Sequence, residues 1–111
     1  MSKKDGLTKY LPLTEATYYI MLMLVEPTHG YGVMQEVEAA TGGTITVGPG
    51  TLYGAFSTLE EEELIEMVRK EGRRKVYALT EKGKVVLQRQ IERLEMMVQH
   101  GKQRLAEEAD Q

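Results

Sequence analysis

Seven basic side chains fall within residues 69–84, and five of them, Arg69, Lys70, Arg73, Arg74 and Lys75, crowd around the Glu71-Gly72 step. Cations packed at that spacing suit one kind of chemistry, the binding of phosphate oxygens. The rest of the chain sharpens the clustering. Residues 1–68 hold three Lys against ten acids, net −7; residues 69–84 carry +5 and residues 85–111 carry −1, which together give the overall −3. Two readings of the strip stay open at this point: a phosphate-binding surface, or a charged hairpin edge that keeps strands from pairing with neighbours.

Upstream of the strip, Gly48-Pro49-Gly50-Thr51-Leu52-Tyr53-Gly54 opens a helix. Gly48 serves as N-cap and Pro49 as the first helical residue, where a missing N–H costs nothing. Leu52, Ala55, Phe56 and Leu59 recur at helical spacing and form a core face. The opposite face carries Gly50, Gly54, Ser57 and Glu61, flanked by Thr51, Tyr53 and Thr58. It is nearly bare of bulk at its N-terminal end, so the backbone itself can approach a partner, and the helix N-terminus favours a phosphate there. The Glu60 to Glu63 run sits at the other end, where it repels phosphate. No Arg, Lys, Asn or Gln lies on this helix, so the bidentate readers of guanine and adenine are missing. Base discrimination would rest on Thr51, Tyr53, Ser57, Thr58 and DNA shape, with Gln35 the nearest amide. Tyr53 packing over the hairpin, and Thr51 bonding its own backbone, are the alternatives for those two residues.

Other chemistries lack their residues. There is no cysteine, which removes disulfides and thiolate metal sites and fits a reducing compartment. His29 and His100 are far apart in sequence, and His29 beside Gly30 reads as a turn or helix-start residue. Gly42-Gly43 and Gly48-Pro49-Gly50 lack the Lys-Ser/Thr of a phosphate-binding loop. No catalytic residue, metal site or cofactor is expected. The longest apolar run, residues 18–25, is too short to cross a bilayer and no leader precedes it, so a cytoplasmic location is expected.

The elements that must hold these residues follow from spacing. Residues 1–12 read as a flexible basic arm and residues 109–111 as a tail. Thr14 caps a first helix through about Glu26, with Ala16, Tyr19, Ile20, Met23 and Leu24 inward, and Pro27 stops it. A second helix from about Tyr31 to Ala40 buries Tyr31, Met34, Val37 and Ala40 and ends at Gly42-Gly43. Residues 44–47 are extended, and the third helix runs to near Glu63. A strand over 64–70, a Glu71-Gly72 turn and a strand over 73–79 follow, with Tyr77 and Leu79 facing the core. Thr80 caps a last helix over 80–108. The fold class is mainly α, mixed α+β: a winged helix-turn-helix over 13–79 with a long C-terminal dimerisation helix.

Along the last helix, Leu87, Ile91, Leu94, Val98 and Leu105 follow steps of four and three, with Gly101 at the open position. A helix of about 28 residues spans about 42 Å, longer than a domain this size covers alone. A symmetric homodimer is therefore expected.

The pattern Leu13-Thr14-Glu15-Ala16-Thr17-Tyr18-Tyr19-Ile20, His29-Gly30-Tyr31-Gly32, Gly48-Pro49-Gly50-Thr51-Leu52-Tyr53, Leu59-Glu60-Glu61-Glu62 with Leu64-Ile65, and Arg73-Arg74-Lys75 with Tyr77 and Leu79-Thr80-Glu81-Lys82-Gly83 resembles the PadR family of bacterial transcriptional regulators, over about residues 12–98. The single C-terminal helix is similar to that of its smaller subfamily, in which this helix exchanges with the dimer mate. The resemblance implies a homodimeric repressor that binds a pseudo-palindromic operator in double-stranded DNA and is released by a small molecule. It places Pro49, Gly50, Thr51 and Tyr53 as recognition-helix contacts and Arg73, Arg74 and Lys75 as wing contacts, beside the exposed Gly54 and Ser57. It also places an apolar or aromatic effector between the first and last helices, near Tyr18, Ile91, Leu94, Met97 and Val98. The chain has no Trp and no aromatic after Tyr77, so that stripe suits plain dimer core better than an effector pocket. The alternative for the whole chain is a winged-helix dimer that acts as a protein-interaction module without specific DNA binding.

Overall fold

A computed structural model describes residues 6–109, so residues 1–5 of the expected arm and residues 110–111 of the expected tail lie outside the described residues. The order is a 3₁₀ turn (Thr8–Tyr10), α1 (Glu15–Met23), α2 (Gly30–Thr41), α3 (Pro49–Glu61), β1 (Ile65–Glu71), β2 (Arg74–Leu79) and α4 (Glu81–Ala109). Three short helices, a two-stranded antiparallel hairpin and a long last helix make the expected winged helix-turn-helix. Ile20, Met21, Leu24, Val33, Val37, Leu52, Phe56 and Leu59 lie at the centre of the core that joins the three short helices.

From Leu7 onward the stretch read as a flexible arm is folded. Leu7, Tyr10 and Leu11 pack against the core, and the Tyr10 hydroxyl donates to Glu62 Oε1 at 2.8 Å. Buried Gln90 of α4 accepts the Leu13 N–H at 2.9 Å.

Helix α1 starts as its cap dictates, with Thr14 Oγ1 accepting the Thr17 N–H. It ends at Met23, short of Glu26, because the next residues serve the hairpin. The Leu24 carbonyl accepts the Leu79 N–H at 2.9 Å, and Thr28 exchanges both of its backbone bonds with Tyr77. A helix continued to Glu26 would turn the Leu24 carbonyl along the helix axis and away from the Leu79 N–H.

In α2 the buried line is Gly30, Val33 and Val37, with Met34 packed beside it; of the expected face Val37 and Met34 are inward, while Tyr31 is 53% exposed and Ala40 is also outside. The rotation has a local cause. A Cβ built on Gly30 would lie 2.8 Å from Leu52 Cδ2, so α2 meets α3 at a residue without a side chain, and Gly30 rather than Tyr31 faces inward. Gly42, in the left-handed region at φ 60°, closes the helix by returning its N–H to the Glu38 carbonyl. Residues 44–47 form no strand; the Thr41 hydroxyl accepts the Ile45 N–H and bonds the Val37 carbonyl.

Helix α3 begins at Pro49 and buries Leu52, Phe56 and Leu59. It ends two residues before Glu63. Glu63 adopts φ 62°, its N–H bonds the Glu60 carbonyl, and the Leu64 N–H reaches the Leu59 carbonyl at 2.8 Å. This is a Schellman cap with Glu where Gly is favoured.

Glu71 pairs with Arg74, which moves the turn one residue on from the expected Glu71-Gly72 step, to Gly72-Arg73 with Gly72 at φ 65°. Arg73 therefore stands at the hairpin tip and not in the strand. Val76 is buried along with Leu79, and Tyr77 is half-buried, so the second half of β2 is covered on both faces and not on the Tyr77/Leu79 face alone.

Thr80 joins the hairpin to α4: its hydroxyl donates to the Glu63 carbonyl at 2.7 Å and accepts the Gly83 N–H at 3.0 Å. A Cβ on Gly83 would overlap the Leu64 carbonyl oxygen, so the first turn of α4 fits only as glycine. Val86, Leu87 and Gln90 are buried within the chain. Leu87, the first residue of the expected dimer seam, thus belongs to the chain's own core, because α4 lies on α1 there. Beyond Ile91 and Leu94, which are half-buried, the helix leaves the body, and Val98 and Leu105 are 54% and 70% exposed.

Candidate nucleic-acid interface

The fold sets the wing beside the open face of α3. Tyr53 and Ser57 on α3, Arg73, Arg74 and Lys75 on the wing, and His29 and Tyr31 at the start of α2 border one groove of about 480 Å³. Phe56 and Tyr77 make its floor, with ring centroids 5.0 Å apart and edge-on. Tyr53 stacks edge-on against Phe56 at 6.1 Å and is still 54% exposed. It packs on α2 and Phe56, not simply over the hairpin.

The remaining residues expected on this surface are also exposed but face other neighbours. Gly50, Thr51 and Gly54 border a shallower hollow shared with Thr14 and Thr17 of the α1 start. Pro49 faces α2 across a third, beside Gln35 and Tyr31. The small-residue stripe therefore runs along the crest of α3 between two depressions, with nothing within 4 Å of a Cβ at Gly50 or Gly54.

Charge in the groove is free to act. Among the described residues the ion pairs are Arg69 with Glu71 and Lys84 with Glu81, so Arg73, Arg74 and Lys75 are left with no carboxylate in contact. Glu60 lines the same groove on its α3 side. Burial, and then the nearby Glu60 carboxylate, push the Tyr77 phenol above its ordinary range.

His29 and Tyr31 are the residues that sequence reasoning missed at this site. His29 does cap α2, its Nδ1 accepting the Gly32 N–H at 3.2 Å, but its Nε2 also lies 3.1 Å from Arg74 Nη1. That pairing joins residues 45 apart in sequence, and nothing local to the His29-Gly30-Tyr31-Gly32 motif announces it.

Along α4, the structure brings Tyr18, Ile91, Leu94 and Val98 together around a second, open hollow of about 720 Å³, with Lys102 and Gln103 at its far end. Met97 is 57% exposed and is not part of it. Among the described residues no cluster of three or more His or carboxylate side chains could hold a metal, and no helix is long and apolar enough to cross a membrane.

The hairpin placed beside an exposed recognition-type helix defines a winged-helix protein. A family model described as "Transcriptional regulator PadR-like family" matches residues 20–89, and the chain belongs to this PadR-like family of transcriptional regulators. It is 35% identical over 79 residues to "Transcriptional regulator YqjI" of Escherichia coli, a match covering 71% of this chain and 38% of that protein. The chain thus spans well under half the length of that curated relative. Among solved structures, a transcriptional regulator from Clostridium thermocellum aligns with TM-score 0.70 at 22% identity, covering 90% of this chain and 94% of that one. Bacillus subtilis PadR, solved in complex with operator DNA, aligns with TM-score 0.62 at 22% identity over 70% of this chain and 48% of its own. At these identities the structural likeness concerns the fold.

Proposed function

We propose that the protein is a homodimeric DNA-binding regulator of the cytoplasm, a repressor that sits on a pseudo-palindromic operator. The observation that carries the reading is the groove in which Arg73, Arg74 and Lys75, unpaired with any described carboxylate, stand next to Tyr53 and Ser57. Three cations at one rim supply a salt-sensitive attraction to the DNA backbone. The crest of α3, from Pro49 through Gly50, Thr51, Tyr53, Gly54 and Ser57, enters the major groove by its N-terminal end. Its small residues bring the backbone close, and of its acidic end Glu60 borders the groove across from the wing cations. Base reading rests on hydroxyls and on Tyr53, with DNA shape contributing the rest. The solved operator complex of Bacillus subtilis PadR lends this reading support from a protein of the same fold.

The exposed half of α4 supports the dimer: Val98 and Leu105, 54% and 70% exposed, continue the line of Ile91 and Leu94. Two copies joined there present two α3 helices to successive turns of DNA, about 34 Å apart. A small apolar or aromatic effector in the hollow beside Tyr18, Ile91, Leu94 and Val98, with Met97 near its rim, would change that separation and release the operator.

The test is binding to double-stranded DNA flanking the protein's own gene, at low and at raised salt. Binding that falls steeply with salt supports the reading. Binding to other proteins with no affinity for DNA would instead favour a winged-helix interaction module, which the net charge of −3 and the lack of Arg, Lys, Asn and Gln on α3 would suit.

A further inference from the structure

A neutral imidazole has one lone pair on its ring nitrogens, and His29 is approached by two donors. The Gly32 N–H points at Nδ1 at 3.2 Å, and Arg74 Nη1 lies 3.1 Å from Nε2. A guanidinium donates only, so both contacts cannot be hydrogen bonds in one tautomer. We infer that the cap takes the lone pair. Gly32 N–H is an orphan donor at the first turn of α2, and Nδ1 is its acceptor. That places the ring proton on Nε2 and turns a second donor toward Arg74. Two N–H groups then meet at the rim of the groove with no acceptor between them. Arg74 is exposed and has no ion pair among the described residues.

His29 Nε2–H and the Arg74 guanidinium then form a two-donor clamp for a single phosphate oxygen of the DNA backbone. This rests on the DNA-binding reading above and adds His29 to it as a DNA ligand. An anionic oxygen accepts from both groups at once and turns a repulsive donor pair into two charge-assisted bonds. Position agrees with the role. The pair lies at the same groove as Tyr53 and Lys75, where α2 and the wing tip flank the crest of α3. Such a contact fixes register on the duplex and reads no base.

The experiment has two parts. In the free protein, ¹⁵N imidazole spectra near neutral pH should show His29 protonated at Nε2 and bare at Nδ1; the opposite tautomer overturns the clamp. In the second part, His29→Asn and His29→Ser keep a capping side chain for α2 but no longer reach Arg74. Each should weaken binding to the flanking duplex five- to tenfold with melting temperature unchanged. In an Arg74→Ala background the same substitutions should cost less than twofold, since the clamp is already open. Full affinity in the cap-preserving variants, or losses that multiply independently with Arg74→Ala, overturns the clamp while leaving the DNA reading intact. A wild-type protein with no affinity for the duplex overturns both. Inorganic phosphate at the same phosphate concentration should leave the His29 resonances unmoved; if it shifts them as the duplex does, the pair is a free-anion site and not a DNA contact.

Discussion

The Tyr53 hydroxyl lies over Gly30 so closely that a Cβ built on Gly30 would be 2.8 Å from it and 2.9 Å from the ring carbon Cε1. A residue on the outer flank of α3 is thereby seated on the bare backbone of α2, and the two helices share one register. The aromatic ring projects beside the groove because glycine lets it rest there. Gly30→Ala should push Tyr53 outward and force Leu52 to move. Overpacking of this kind costs about 1–3 kcal/mol. Urea denaturation should show that loss, together with weaker DNA binding; unchanged stability would mean that the α2–α3 contact yields easily.

Gly54 presents the opposite case. It lies mid-helix on the crest of α3 with nothing within 4 Å of a built Cβ. Glycine in a helix interior costs roughly 0.5–1 kcal/mol relative to alanine. Gly54→Ala should therefore raise the melting temperature and, at the same time, lower DNA affinity by placing a methyl group on the surface proposed to approach DNA. A variant more stable and equally tight would show that the bare crest has no part in binding.

Stability should also depend on pH above the range where most proteins are assayed. The Tyr77 phenol titrates above its ordinary value of about 10. A raised folded pKa means that the fold favours the neutral phenol. The contribution is complete below about pH 10 and is lost as pH climbs through the folded value. Denaturation midpoints should fall in that window for the wild type and fall less for Tyr77→Phe. Equal slopes in the two proteins would contradict the burial of this ring.

Leu94 is half-buried on its own chain, between the core residue Leu87 and the exposed Val98 and Leu105. If the far half of α4 pairs with a second copy, Leu94→Lys places a charge at the start of that seam. Light scattering should then report a monomer with the wing domain still folded. A dimer that survives the substitution would remove α4 as the interface.

What could be read from the sequence was what local chemistry determines. Pro49 after Gly48 marked the start of α3, Gly42 marked the end of α2, and Thr14 and Thr80 marked two helix starts, because each is a capping or turn preference satisfied within four residues. The groove's main cations and Tyr53 were legible for a related reason: clustered charge and a bare helix face are visible in one dimension. What escaped was set by partners distant in the chain. Helix α1 stops early because the Leu24 carbonyl and the Thr28 backbone are taken by β2, some fifty residues later. Val33 replaces Tyr31 as the inward residue of α2 because Gly30 must admit Leu52 and Tyr53. Leu87 reads as a heptad position yet lies in the chain's own core, since periodicity gives the apolar face of a helix and not the identity of what covers it. His29 reads as a cap, and it is one; its second contact, to Arg74, depends on the wing folding back over α2.

The central claim is that the cations of the wing hold the phosphate backbone of DNA beside α3. It is tested most directly by measuring affinity for the duplex flanking the protein's own gene across a salt series, for the wild type and for Arg73→Ala combined with Arg74→Ala. Each phosphate contact contributes about 0.9 to the slope of log K against log salt. The account predicts steep salt dependence for the wild type and a slope shallower by about 2 for the double variant. Identical slopes for the two proteins, or no binding to the duplex at low salt, would contradict it.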